Sequence, residues 1–359
     1  MTTATSGLGD LLNVDILDVG HGSCVVVRAA DSVVLIDTGP NGAILEYLDR
    51  EGITEVDCVV ISHADADHVR GLSAMLSDGR VVRRIYWNGD SGKDSDLWED
   101  IVWQLDDLDA QGILQAQDEA GRGGVISTGV PTVEVALLAP GLGFRRRGAG
   151  STDRAGRQIT SNSISVVAQV RVDGRGLLLI PGDLDTVGFE NLDVAPTQLK
   201  SQYLVLPHHG GLGGTGRATY ELVRSLVTAV EPELVFVSNG RLVKANPRAE
   251  VVAAVASAVP TTSIACTQLS SRCHPTAVAR AGDSRPYSGG WGRGRSCAGT
   301  IRLTRTNGID APLDRSAHLA FISTEVATPQ CGVLGTVARS TAPEAEVEVE
   351  PTSGAQVTV

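Results

Sequence analysis

An α/β fold is expected for this chain of 359 residues. Short runs rich in Val, Ile and Leu alternate with stretches whose apolar residues recur at helical spacing. Several of these runs stop abruptly in Gly, Asp or His, the pattern of strands that deliver chemistry to the loops beyond them. The composition agrees: 42% apolar and 20% charged residues is the balance of a globular chain, and the length is enough to bury a large core.

In chain order, residues 14–19, 24–28, 33–36 and 56–62 read as strands, with a helix at 42–51 between them. A helix begins near 69–76. Residues 164–172, 176–180, 203–206 and 234–238 form a second strand set, and 218–230 and 248–258 read as helices. The apolar run 251–259 falls far short of the ~20 residues that span a bilayer, so it reads as a buried helix.

The sharpest signal is Val59-Val60-Ile61-Ser62-His63-Ala64-Asp65-Ala66-Asp67-His68. Two imidazoles and two carboxylates follow one apolar strand, and unpaired carboxylates so close would repel. A divalent cation removes that conflict, and His with Asp is an ordinary ligand set for zinc or manganese. In extended chain His63 and Asp65 share a face and can hold one ion. Asp67 and His68 sit where the next helix starts and can hold a second. The competing reading, a solvated loop with a helix N-cap at Asp65 or Asp67, leaves both histidines unexplained.

This segment resembles the metallo-β-lactamase superfamily, whose motif is usually His-x-His-x-Asp-His. Here Asp65 replaces the second His, a variant typical of the hydrolase domain of ComEC/Rec2 competence proteins. Further similar patterns are Asn-Val-Asp-Ile-Leu-Asp-Val-Gly-His-Gly at 13–22, Val-Val-Leu-Ile-Asp-Thr-Gly at 33–39, and Asn-Ser-Ile-Ser at 162–165. Leu-Ile-Pro-Gly-Asp at 179–183 and Leu-Val-Leu-Pro-His-His-Gly at 204–210 follow. Motifs in the right order are far more specific than one alone. The resemblance implies a four-layer αββα sandwich over residues 10–305. Residues 306–338 are then a C-terminal extension packing on the domain, and 339–359 an acidic tail expected to be disordered.

The resemblance also implies two divalent metal ions. His63 and Asp65 would hold the first, Asp67, His68 and His208 the second, and Asp183 would bridge. Either His208 or His209 completes the set. His208, nearer the strand end, is favoured, with His209 reaching substrate. Many family members place a further His between the first motif and the bridging Asp, but none occurs here between His68 and His208. Asn162, Ser163 or Ser165 takes that place in the order. The first ion then has one nitrogen ligand and oxygen otherwise, a harder site that favours manganese or weakly held zinc. Asp67, His209 and His21 are the catalytic candidates, although His21 serves equally well as a cap on its turn.

The net charge of −12 excludes a surface basic all over, not a local basic patch. Two loops rich in Gly and Arg supply candidates. Residues 140–161 carry Arg145, Arg146, Arg147, Arg154 and Arg157; residues 280–296 carry Arg280, Arg285, Arg293 and Arg295 with Tyr287 and Trp291. Such loops are either phosphate-binding surface or merely solvated. Asn162, Ser163, Arg145, Arg146, Arg147 and Arg293 are the substrate-binding candidates.

Cys24 and Cys58 read as buried hydrophobes. For Cys266, Cys273 and Cys297, beside His274, free thiols come first, a structural metal second and a disulfide last. Neither a secretory signal nor a membrane span is visible, so a cytoplasmic location is expected. Competence channels of this type carry long membrane segments beside the hydrolase domain, and none occurs here. The leading expectation is a free-standing phosphodiesterase, most simply a nuclease acting on nucleic acid or nucleotide. An ester, thioester or lactam hydrolase keeps the same site. A metal-binding sensor or scaffold with a protein partner, in a multiprotein system such as bacterial defence against phage, is the reading from another class.

Overall fold

The computed structural model describes residues 12–87, 93, 95–117, 120–277, 288–290, 293–306, 309–311 and 315–331. Its first half runs β1 (Leu12–Ile16), β2 (Val25–Ala29), β3 (Ser32–Ile36), α1 (Ala43–Arg50), β4 (Glu55–Val56), β5 (Cys58–Val60), α2 (Ala66–Ser77), β6 (Val81–Val82), β7 (Arg84–Tyr86), α3 (Asp96–Ala110) and β8 (Gln115–Gln117). The second half runs β9 (Val125–Ser127), β10 (Val133–Ala139), α4 (Leu142–Arg147), β11 (Val167–Val172), β12 (Arg175–Ile180), α5 (Thr186–Glu190), α6 (Pro196–Leu199), β13 (Ser201–Val205), α7 (Gly216–Val230), β14 (Leu234–Val237), α8 (Ala249–Ala258) and β15 (Ser263–Cys266). Then β16 (Ile301–Thr306), β17 (Ile309–Ala311) and α9 (Arg315–Glu325) follow.

One sheet has the order β17-β16-β1-β2-β3-β5-β7-β8 and the other β15-β14-β13-β12-β11-β10-β9. The late strand β16 returns to the first sheet and pairs antiparallel with β1, Val14 opposite Leu303. Within the first sheet β3, β5 and β7 are parallel. Within the second, β12 to β15 are parallel.

Three apolar layers separate these elements. Between the sheets, Val14, Ile16, Val25, Val27, Val34 and Val60 meet Val135, Leu137, Val170, Leu178, Tyr203 and Phe236. The alternate residues of the first sheet, Val26, Leu35, Val59 and Ile85, turn outward onto Ile44, Tyr47, Leu72, Met75, Ile101 and Leu105 of α1, α2 and α3. The alternate residues of the second sheet, Leu204, Val235 and Val237, meet Val223, Leu226, Val227, Val251 and Val255 of α7 and α8. Period-2 alternation on the strands and the 3–4 spacing on the helices therefore build a four-layer αββα sandwich. Each fully buried Leu or Ile contributes about 1.5–3 kcal/mol to it.

The structure differs from expectation at several elements. β1 stops at Ile16, not at 19, and the chain bends at 20–22. The stretch 140–161 is not all loop: Leu142–Arg147 is a short helix, α4. Helix α9 packs Phe321 and Ile322 into the outer layer beside Cys266, Cys273 and Cys297. All six cysteines are free thiols and buried. Arg280, Arg285, Tyr287, Trp291 and the acidic tail at 339–359 lie outside the described residues.

Candidate metal centre

The chemistry-bearing side chains gather where strands end. Asp37 follows β3, His63 follows β5, Asp183 follows β12, and His208 and His209 follow β13. His21 lies in the turn after β1. Strands β3, β5, β12 and β13 belong to the parallel parts of the two sheets, and sites in α/β folds form at such carboxyl ends. Gly182 is required there. Its φ is +56°, and a Cβ on it would lie 2.3 Å from Ser165 Oγ and 2.8 Å from Ser62 Cβ.

Two groups of ligand-type atoms form at this edge: His63, His68 and Asp183, and His21, Asp67 and His209. His63 Nε2 lies 3.6 Å from Asp65 Oδ2, and His68 Nε2 lies 3.5 Å from Asp183 Oδ1. His209 Nε2 joins the groups, 3.3 Å from Asp67 Oδ2 and 3.6 Å from Asp183 Oδ1. His21 Nε2 stands 3.7 Å from Asp67 Oδ2, with its ring 4.6 Å from that of His209.

A buried scaffold fixes the imidazoles. Asp37 is fully buried and lies 2.7 Å from His68 Nδ1 through Oδ2. The Ser62 N–H donates to Asp37 Oδ1 at 2.8 Å, and the Ser62 hydroxyl donates to Oδ2 at 2.9 Å. The Ser62 oxygen is 3.0 Å from His63 Nδ1. This network assigns the Nδ1 protons of both histidines and turns their Nε2 lone pairs toward the carboxylates. The Nε2 atoms of His63, His68 and His209 are buried with no hydrogen-bond partner. Buried polar atoms left unpaired are costly, so three together beside three carboxylates fit a bound cation.

The electrostatics agree. Burial opposes charge on His68, yet Asp37 and Asp183 outweigh it and raise its pKa well above the usual imidazole value. Burial also disfavours the Asp183 carboxylate, but His209 and His68 hold its pKa well below the usual range. For Asp67, burial is again outweighed by His209 and His68, and its pKa falls to about 2. The His63 contact is the main cause holding Asp65 low, with Lys93 adding to it. Burial and then His209 lower His21 to about 4.

Asp65 occupies the N-cap position of α2, but its side chain makes no capping bond. Its carboxylate faces His63 and Lys93 instead. The two histidines in series part company. Pro207–Gly210 is a tight turn in which His208 and His209 have φ of 52° and 54°. The turn carries His209 into the cluster and folds His208 back against Gly213, where a Cβ would lie 2.5 Å from His208 Nε2. His208 touches the site through its N–H, which donates to Asp183 Oδ1 at 3.1 Å, and through Nδ1, 3.5 Å from Oδ2. The geometry thus gives His209 the place that sequence order favoured for His208.

The Asn-x-x-Ser element divides its duties. Ser165 Oγ accepts the Asp183 N–H at 3.1 Å and so sets that residue's backbone. Ser163, proposed for substrate, instead donates to Asp185 Oδ2 at 2.7 Å and is buried. Asn162 opens a single 3-10 turn at Asn162–Ile164 and is half-buried. Arg145, Arg146 and Arg147 form the last turn of α4; Arg147 Nε donates to the Thr152 carbonyl at 2.7 Å. Arg293 lies beside a loop tied down by Asp18, whose buried carboxylate accepts the Gly290 N–H at 2.9 Å and Gln268 Nε2 at 2.7 Å. Sequence reasoning passed over Ser62, Lys93 and the bond from Asp37 to His68. The one available signal was the Ser immediately before His63.

Residues 17–141 match the model of the metallo-beta-lactamase superfamily. Two curated relatives align with part of the chain. ComE operon protein 3 of Bacillus subtilis (strain 168) is 24% identical over 256 residues, 64% of this chain and 28% of that protein. Competence protein ComA of Neisseria gonorrhoeae is 28% identical over 238 residues, 63% of this chain and 27% of that protein. The chain thus spans little more than a quarter of the length of either. Among solved structures, Igni18, a metallo hydrolase from Ignicoccus hospitalis, aligns with a TM-score of 0.42 at 18% identity, covering 71% of this chain and 94% of that one. The metallo-beta-lactamase fold protein YhfI from Bacillus subtilis aligns at 0.44 and 12% identity, over 71% and 96% of the two chains. Among the described residues no helix is long and apolar enough to cross a membrane.

Proposed function

We propose that this chain, whose residues 17–141 carry the metallo-β-lactamase superfamily domain, hydrolyses phosphodiester bonds with two divalent ions, manganese or zinc. One observation carries the reading: the bare, buried Nε2 atoms of His63, His68 and His209 converge with Asp65, Asp67 and Asp183. His63 and Asp65 would hold the first ion, Asp67, His68 and His209 the second, with Asp183 between them. When bound, such a pair activates a water and neutralises charge on the attacked phosphoryl group.

The chain's own residues do the rest. Asp37 and Ser62 keep the two imidazoles in the required tautomer and orientation. Asp67, between His209 and His21, is placed to orient the attacking water. His21, a neutral imidazole at neutral pH because its pKa is lowered to about 4, faces Asp67 through Nε2 and is placed to contact the substrate. Arg145, Arg146 and Arg147 on α4, with Arg293, supply local positive charge to a polyanion on an otherwise acidic chain. The ligand set is richer in oxygen than the usual family motif, which suits manganese. Competence protein ComA among the relatives supports a nucleic acid or nucleotide substrate.

The test is a cleavage screen of metal-loaded protein on single- and double-stranded DNA and RNA and on cyclic nucleotides, with thioester and lactam substrates in parallel. Manganese-stimulated phosphodiester cleavage is expected. It should fall by orders of magnitude in Asp67→Ala and His63→Ala, which lose the groups that position water and metal. Turnover of a thioester or lactam alone would replace the substrate class. Inactivity on every substrate would favour a metal-binding sensor or scaffold.

A further inference from the structure

The sequence holds three lysines, Lys93, Lys200 and Lys244, and one of them is bonded to a metal ligand. The Lys93 ammonium donates to Asp65 Oδ1, while Oδ2 of the same carboxylate faces His63 Nε2 at 3.6 Å. The two Asp65 oxygens are therefore divided between a fixed cation and the first metal position. No comparable ammonium is bonded to Asp67 or Asp183 among the described residues; their partners are histidines and a backbone N–H. The difference appears in the clusters themselves. Asp183 groups with His63 and His68, and Asp67 groups with His21 and His209, but Asp65 falls outside both. Lys93 reaches the site from the stretch between β7 and α3, beside the strand that pairs with β5. Its side chain is 29% exposed and that of Asp65 34%, so the pair can exchange with solvent ions.

We propose that Lys93 is a built-in competitor for the first metal position: it holds Asp65 until a divalent ion displaces it, so the two positions fill unequally. The second position fills first, and the ammonium swings into solvent, still protonated, as the first is occupied. An ion at the first position must meet an adjacent positive charge or break an ion pair, and either lowers its affinity. The device makes a complete centre depend on free metal concentration. It deepens the two-ion reading above and rests on it.

Calorimetric titration of the metal-stripped full chain with manganese tests this directly. The parent should show one tight and one weaker event. Lys93→Met should tighten the weaker event about fivefold and leave the tight one alone, since an ion pair of this exposure is worth up to about 1 kcal/mol. Lys93→Gln should behave likewise, and Lys93→Arg should keep the parent's pattern. Lys200→Met, remote from the site, should change nothing. Melting of the metal-free proteins checks that the variants fold. Equal affinities in parent, Lys93→Met and Lys93→Gln would overturn this inference and leave the hydrolase reading to the cleavage screen. A parent that binds no ion would overturn both.

Discussion

His208 and His209 are adjacent and chemically identical, yet the tight turn brings only His209 into a group of ligand-type atoms. Sequence order favoured His208, the residue nearer β13. The left-handed turn at 52° and 54° reverses that order. Such angles cost non-glycine residues of the order of 1 kcal/mol each, and strain of this kind concentrates at functional sites. Replacing His209 by Ala should therefore strip metal from the second position, while His208→Ala should leave two ions bound. Elemental analysis decides it, and equal losses in the two variants would refute the geometric assignment. Ligand types were legible at 63–68 because the residues are neighbours in sequence. The partners that orient them were not, because Asp37 meets His68 across 31 positions and no local pattern announces that contact. The choice between the two histidines was hidden for a related reason: φ at a tight turn is set by what surrounds it.

Elements with strong periodicity were legible, and those held by distant partners were less so. Strands β2 and β3 and helices α1, α7 and α8 lie where their apolar spacing put them, whereas the run expected as one strand at 56–62 holds the end of β4, in a separate sheet, and the shorter β5. Helix α4 was read as loop because Gly and Arg mask a single helical turn. Helix α3 was passed over although Trp98, Ile101 and Leu105 form a buried stripe on an acidic sequence. The pairing of β16 with β1 joins residues nearly three hundred positions apart, and an ion network marks the seam. Fully buried Asp15 accepts from Tyr47 Oη at 2.6 Å and from Arg302 Nε at 2.6 Å. Glu51, just past α1, accepts from Arg28 and Arg302, each at 2.7 Å. Burial works against the Glu51 carboxylate, but the two arginines lower its pKa below the usual value. A depressed pKa adds stability that is present above the unfolded value of about 4.3 and is lost as pH falls through the folded value. Acid denaturation should thus be shallower in Glu51→Gln than in the parent below pH of about 4.5, with a lower plateau at neutral pH. Parallel unfolding curves at every pH would show that the seam does not depend on this charge.

At the scale of the molecule the candidate centre is a clasp between the two sheets. His63 and the Asp37 support come from β5 and β3 of one sheet, and Asp183 and His209 from β12 and β13 of the other. The intersheet layer is built from apolar side chains, and at this edge four carboxylates and their histidines meet. Without a cation the carboxylates of Asp65, Asp67 and Asp183 rely on imidazoles and one lysine. A ligand that binds the folded chain alone stabilises it by RT ln(1 + [L]/Kd), about 2.7 kcal/mol at a hundredfold excess over Kd. For a domain of this size that raises Tm by at least several degrees, at roughly 2–4 °C per kcal/mol. Chelation should therefore lower the melting temperature, and manganese should restore it in proportion to the logarithm of its concentration. Asp183→Ala, which removes the carboxylate proposed to sit between the two positions, should shift less with metal than the parent does. Because the candidate ligands come from both sheets, the change should appear as a shift of a single cooperative transition. A parent whose Tm ignores chelator and manganese alike would show that the two sheets are joined by their apolar layer alone.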